Sequence, residues 1–213
     1  MTQMSISNKS LFISFEGIDG CGKSTQVKML MNQLDKNDIK SLLVREPGGT
    51  PISEEIREVL LKNRDDKMAE RTEALLMTAS RAQLTQDIII PSLNSGLIVI
   101  ADRFKDSTLA YQGGGRGVDL GFLVQLNEFA TYDLDPDITF FIDITSEEGR
   151  KRQSNGDLDR IENAGLSFQE KVREQYLKLA HMFSHRFIII DGVLSPDEIH
   201  QKIWSEIQNR KSL

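Results

Sequence analysis

The chain has a single cysteine, Cys21, among 213 residues. This excludes an internal disulfide and any multi-cysteine zinc site, and points to a reducing, cytoplasmic setting. Histidine is also scarce: His181, His185 and His200 fall on late helical stretches away from other ligand types and read as surface or packing residues. Positive charge is not in excess, since 26 Lys and Arg stand against 32 Asp and Glu for a net charge of −6. That balance argues against broad nucleic-acid binding, so an anionic ligand must be held by local clusters of Arg and Lys. No apolar run approaches membrane-spanning length, and the opening MTQMSISNKS lacks the apolar core of a signal peptide. Repeats, linkers and low-complexity tracts are missing too, so residues 1–213 are expected to form one domain.

What is present is an ordinary globular composition, 39% hydrophobic and 27% charged, arranged around the stretch FISFEGIDGCGKSTQVKM. Its loop from Gly17 to Ser24 fits G-x-x-x-x-G-K-[ST] without a mismatch. An apolar run, Leu11 to Phe15, precedes the loop, and Val27, Leu30, Met31 and Leu34 follow at helical spacing. Strand, glycine turn and helix is the context in which this motif cradles phosphate. Backbone N–H groups from Gly17, Ile18, Asp19, Gly20, Cys21, Gly22 and on to Thr25 point inward, and the helix N-terminus adds its dipole. Lys23 is expected to reach the outer phosphates and Ser24 to hold Mg2+ through its hydroxyl. The bland alternative, a turn that merely links strand to helix, does not account for the glycines, Lys and Ser falling in register. Cys21 reads as a space-filling residue.

Further strands are expected at Ser41–Val44, Leu97–Ala101, Ile138–Ile144 and Phe187–Ile190. Helical patterns cover Ser53–Leu61, a long stretch from about Met68 to Leu93 disturbed near Pro91, then Leu120–Tyr132, Phe168–Phe183 and Pro196–Asn209. Alternation of this kind implies an α/β fold with a parallel sheet covered on both faces. Ser107 to Gly117 reads as a polar, glycine-containing stretch. The charged segment Gly149–Gly165 reads as a solvated connection or a cover over a ligand, with little to give a core. Arg45, Arg81 and Arg103 recur where such a sheet presents its ligand edge. Singly each reads as a surface ion pair; together with the charged segment they favour phosphoryl transfer between two nucleotides.

GIDGCGKST, REPGGTP, LLMTASRAQ, DRFKDSTLAYQGGGRG and LDRIE, in this order over residues 11 to about 190, resemble the thymidylate kinase family. The resemblance implies a phosphate-loop fold with a five-stranded parallel sheet and a mobile lid at about residues 149–165, and transfer of the ATP γ-phosphoryl group to dTMP. It implies that Arg103 binds the dTMP phosphate and Arg81 the thymine edge, with Thr108 and Gln112 at further base contacts. Tyr111 would lie near the sugar, Asp19 would accept from the 3′-hydroxyl, and Arg45, Glu46 and Arg57 would border the acceptor site. Asp102 and Glu162 join Ser24 in organising Mg2+, Glu46 being a further candidate. The family is typically a homodimer packed through helices such as the long one.

Two departures stand out. Met77 occupies the place where the family usually stacks a phenylalanine on thymine; core packing and base contact are equally compatible with its spacing. Gly20 follows Asp19 where some relatives carry a cation, which directs the catalytic positive charge to the lid. Arg150 and Arg152 are both open, Arg152 is favoured, and Arg160 reads as structural. No general base is required, because a phosphate oxygen of dTMP is already an adequate nucleophile. A kinase for another nucleoside monophosphate or a deoxynucleoside would lack REPGGT and YQGGGRG. A nucleotide-dependent switch or ATPase would need partner- or guanine-recognition motifs, and no NKxD-like sequence is present.

Overall fold

The computed structural model describes residues 10–63, 65, 67–153 and 159–211. Five strands, β1 (Leu11–Glu16), β2 (Ser41–Arg45), β3 (Ile98–Asp102), β4 (Ile138–Asp143) and β5 (Phe187–Asp191), form one sheet in the order β2-β3-β1-β4-β5. Every pairing is parallel, as the alternation of strand and helix patterns requires. The chain leaves β1 for the edge on one side and later crosses to the other side at β4. β1 therefore lies at the switch point, where an open α/β sheet leaves a crevice beyond its carboxyl ends.

Register brings Phe15 and Arg45 level with Asp102, and Glu16 level with Phe141. Along β1 and β3 alternate residues enter different apolar clusters. Leu11, Ile13, Phe15, Ile98 and Ile100 pack with Val27, Leu30 and Leu34 of α1 (Lys23–Lys36) and with Ile199 and Ile203 of the last helix. Phe12, Val99 and Ala101 pack instead with Leu84, Ile89 and Leu93. This period-two sorting is why the strands read as continuous apolar runs: both faces are buried.

α2 (Pro51–Leu61) starts two residues earlier than its apolar pattern, with Thr50 as N-cap accepting from Ser53 N–H and Pro51 at the first position. The long helix expected over residues 68–93 is three pieces: α3 (Glu70–Leu84), a π-helical turn (Thr85–Ile89) and α4 (Ile90–Asn94). The break lies upstream of Pro91 because a proline ring displaces the carbonyl four residues earlier, here that of Asp87, within the π turn. The stretch expected to be polar loop is also helical, as α5 (Lys105–Thr108) and a π-helical turn (Leu109–Gly115). Four glycines hid it from propensity reasoning, and packing of the turn on a later helix overrides that propensity.

α6 (Leu120–Thr131) is capped by Asp119, whose side chain accepts from Phe122 N–H. α7 (Ser146–Arg152) runs into the charged segment, followed by a 3₁₀ turn (Glu162–Ala164), α8 (Leu166–Met182) and α9 (Pro196–Lys211). Among its described residues Ile161 is buried in the larger cluster, a small contribution to the core as the charged composition implies. Ser154 to Leu158, including the first residue of LDRIE, lie outside the described residues. Among the described residues no helix is long and apolar enough to cross a membrane.

Candidate active site at the carboxyl edge of the sheet

The loop from Gly17 to Ser24 leaves β1 at the switch point and enters α1. Lys23 is folded onto it, its Nζ donating to the carbonyls of Gly17 (3.0 Å) and Ile18 (3.1 Å). Cys21 is buried beneath, 3.6 Å from the same Nζ. Ser24 Oγ donates to Asp102 Oδ2 at 3.2 Å, so the last residue of the motif meets the last residue of β3. Gly20 has φ 80°, a left-handed conformation that favours glycine. A Cβ there would run into the backbone of Gly149 on α7, and a Cβ on Gly149 would come within 2.6 Å of the Asp19 carbonyl. Loop and α7 are thus in direct backbone contact. A cleft of about 660 Å³ opens over the loop, lined by residues 19–26 and, across from them, by Arg152, Gly192 and Leu194.

A second cavity, about 210 Å³, adjoins it. Asp19, Glu46, Arg57, Met77, Arg81, Arg103, Thr108, Tyr111 and Gln112 all line it, so every residue expected at the acceptor site is brought to one place, with Arg45 beside them. Met77 is half-buried, with its far side packed on the core. Arg57 donates to Pro47 O at 2.7 Å, and Arg45 is exposed and paired with Glu54.

Arg81 is 2% exposed, and its guanidinium is turned to protein groups. Nε and NH2 meet Glu46 Oε2 at 2.7 and 2.6 Å, NH1 donates to Thr108 Oγ1 and Asn127 Oδ1 at 2.8 Å each, and NH2 donates to Phe104 O at 3.2 Å. Every nitrogen of the guanidinium is thus engaged, so a contact from Arg81 to a base edge would compete with these partners. The other oxygen of Glu46, Oε1, is buried with no hydrogen-bond partner. Burial pushes the Glu46 carboxyl up to about 7, further than Arg81 pulls it down.

Four residues border both spaces: Asp19, Asp102, Arg103 and Glu162. Arg103 carries the junction. Its φ of 73° is unusual for a side chain with a Cβ, and strain of this kind concentrates at functional sites. It donates to Gly17 O at 3.0 Å, pairs with Asp19 Oδ1, and lies over the Tyr111 ring at 4.8 Å. Burial alone would raise the Asp19 carboxyl, but Arg103 and Lys23 outweigh it and hold it below its usual range. Asp19 Oδ2 also accepts from Gln169 (3.2 Å) and Tyr111 (3.5 Å).

Sequence reasoning missed what holds Arg103. Glu16, fully buried at the end of β1, accepts Phe104 N–H (2.8 Å) and Ser14 Oγ (2.9 Å) on Oε1, and Ser107 Oγ (2.6 Å) and Tyr176 OH (2.7 Å) on Oε2. Four donors on one carboxylate fix the turn on the carboxyl side of Arg103. The only sequence signal was an acid closing an apolar strand. Burial, together with the charge of Asp106, raises the Glu16 carboxyl above its ordinary value.

The described residues contain no group of three His, Cys, Asp or Glu that would cage a metal by themselves. The oxygen set is Ser24 and Asp102 in contact, with Glu162 on the same walls. This fits Mg2+, which takes one or two protein oxygens and fills its octahedron with water and phosphate. On α7, Arg152 donates to Glu148 (2.8 Å) and Gly192 O (2.9 Å) beside the larger cleft. Arg150 is exposed, bonded to Gln153 at 3.4 Å, and borders a smaller cavity with Asp19 and Glu162.

A phosphate loop at the switch point, an oxygen pair suited to Mg2+ and a neighbouring arginine-lined cavity sharing its walls define the class: a phosphate-loop kinase of the nucleotide type. The sequence profile of the thymidylate kinase family matches residues 15–203. Similar curated proteins named thymidylate kinase come from Chlorobaculum tepidum (49% identity over 92% of this chain and 96% of the relative) and Caldanaerobacter subterraneus (48%, over 92% and 94%). Another is from Fervidobacterium nodosum (49%, over 91% and 96%). The chain belongs to the thymidylate kinase family.

Proposed function

We propose that the protein transfers the γ-phosphoryl group of ATP to dTMP, giving dTDP and ADP for dTTP synthesis. The observation that carries this reading is the pair of adjoining spaces with Asp19, Asp102, Arg103 and Glu162 as common walls. ATP occupies the loop cleft and dTMP the smaller cavity. Glu46, Arg57 and Arg103 face the phosphate end, and Met77, Arg81, Thr108 and Gln112 the base end, with Asp19 and Tyr111 at the sugar.

The chemistry asks for alignment and charge neutralisation, with no covalent intermediate. A dTMP phosphate oxygen attacks the γ-phosphorus while Lys23 and the loop N–H groups hold the outer phosphates. Arg103 spans donor and acceptor. Ser24, Asp102 and Glu162 would hold Mg2+, which would supply positive charge to offset that of the phosphates. Arg152 supplies the flap cation; it is the flap arginine that lines the donor cleft, which supports it over Arg150. Arg81 works chiefly by bracing Glu46 and Thr108.

The protein acts as one domain in the cytoplasm, without nucleic acid or membrane. It works as a homodimer, a reading supported by exposed apolar side chains on packed helices: Val59 on α2, Leu75 on α3, Phe122 and Phe129 on α6. The deciding experiment is a coupled assay with ATP and Mg2+ over dTMP, dUMP, dCMP, dGMP and thymidine. ADP release fastest with dTMP is expected. Preference for another acceptor would reassign the substrate, and nucleotide hydrolysis with no phosphorylated acceptor would make the protein a switch or ATPase.

A further inference from the structure

Glu73 on α3 is 1% exposed and lies one helical turn before Met77. Its Oε1 accepts Gln112 Nε2 (2.9 Å) and Arg116 Nε (3.2 Å), and its Oε2 accepts Arg160 NH1 (2.6 Å). These partners come from different parts of the molecule. Gln112 is a wall of the acceptor cavity, and Arg116 lies over the Phe168 ring at 4.3 Å at the start of α8. Arg160 belongs to the returning limb of the flap. The same Arg160 donates Nε to Leu60 O (2.8 Å) and its backbone N–H to Leu61 O (3.2 Å) at the end of α2. Its neighbours Asp159, Ile161 and Glu162 line the acceptor cavity, and Glu162 also borders the donor cleft.

We propose that Glu73 is a positioning residue for phosphoryl transfer, latching the returning limb of the flap through Arg160 to the Gln112 wall of the acceptor cavity. This rests on reading that cavity as the dTMP site. One carboxylate neutralises two guanidiniums and orients one carboxamide. Because a carboxylate only accepts, the Gln112 side chain must present its NH₂ end to Glu73. Losing the anion leaves two partly buried guanidiniums uncompensated beside each other, so Arg160 is released and Glu162 loses its seat. Losing Arg116 alone leaves the latch bond intact.

The test compares Glu73→Gln, Arg160→Gln and Arg116→Gln with wild type. Expected for Glu73→Gln is a rise in KM for dTMP of about tenfold and a fall in kcat, with KM for ATP nearly unchanged. Amide exchange at residues 159–164 should accelerate. Arg160→Gln should do the same, and the double variant should be no worse than Glu73→Gln alone, because both remove one contact. Arg116→Gln should lower stability with little change in KM for dTMP. Additive losses in the double variant, or unchanged exchange at 159–164, would overturn the latch, as would a Glu73→Gln enzyme with only a lower Tm. If Glu73→Gln fails to fold, Arg160→Gln carries the same readings. Wild-type protein inactive on dTMP would remove the functional reading instead, leaving the exchange measurement to judge the latch separately.

Discussion

Met77 has one side in the core and one on the candidate acceptor cavity, a placement compatible with both readings of its helical spacing. A thioether packs on a ring with less area than an aromatic and has more rotamer freedom to lose. Met77→Phe should therefore tighten dTMP binding by about 1 kcal/mol, roughly fivefold in Kd, measured by calorimetry. Unchanged affinity would leave Met77 as core alone. At Glu46 the consequence is one of pH. Its folded value, about 7, lies above the ordinary 4.5, so between those values the unfolded chain releases a proton that the folded chain keeps. Stability contributed by the neutral acid is present below 4.5 and is lost as pH rises to about 7. Relative to Glu46→Gln, wild type should lose up to about 3 kcal/mol across that window in denaturant titrations. A flat difference would mean that Arg81 keeps Glu46 ionised throughout. The motif residues were legible because glycine, lysine, arginine and serine in fixed register have few other uses. Glu16 and Glu73 were not, because an acid at the end of a strand or on a helix looks the same from sequence whether solvated or buried among donors.

Among the elements, strands were read most closely, to within a residue or two, because the central strands β1, β3 and β4 are buried on both faces and are largely apolar. The helices that departed from expectation are those shaped by tertiary contact: the π turns before Pro91 and through the glycines of YQGGGRG, and α7 entering a segment read as connection. α7 carries the choice of flap cation. Single-turnover kinetics on Arg150→Ala, Arg152→Ala and Arg160→Ala should show the largest loss of the chemical step at Arg152, on the order of a hundredfold or more. Arg160→Ala should act mainly through KM for dTMP. Equal small losses at all three would remove the flap-arginine hypothesis.

For the whole molecule, exposed Leu75, Phe122 and Phe129 on α3 and α6 should be covered by a second copy. Sedimentation at micromolar concentration is expected to show a dimer, and Phe129→Glu, at the most exposed of the three side chains, a monomer. A monomeric wild type would refute the pairing. The close approach of Gly20 and Gly149 bears on how such a chain can diverge. An arginine placed in the loop after Asp19 would put its Cβ into the backbone of α7, so a loop cation cannot simply be added to a chain whose flap helix is docked. α7 must first withdraw, and with it Arg152. The two ways of supplying positive charge to the reaction are thus separated by a rearrangement rather than by one codon.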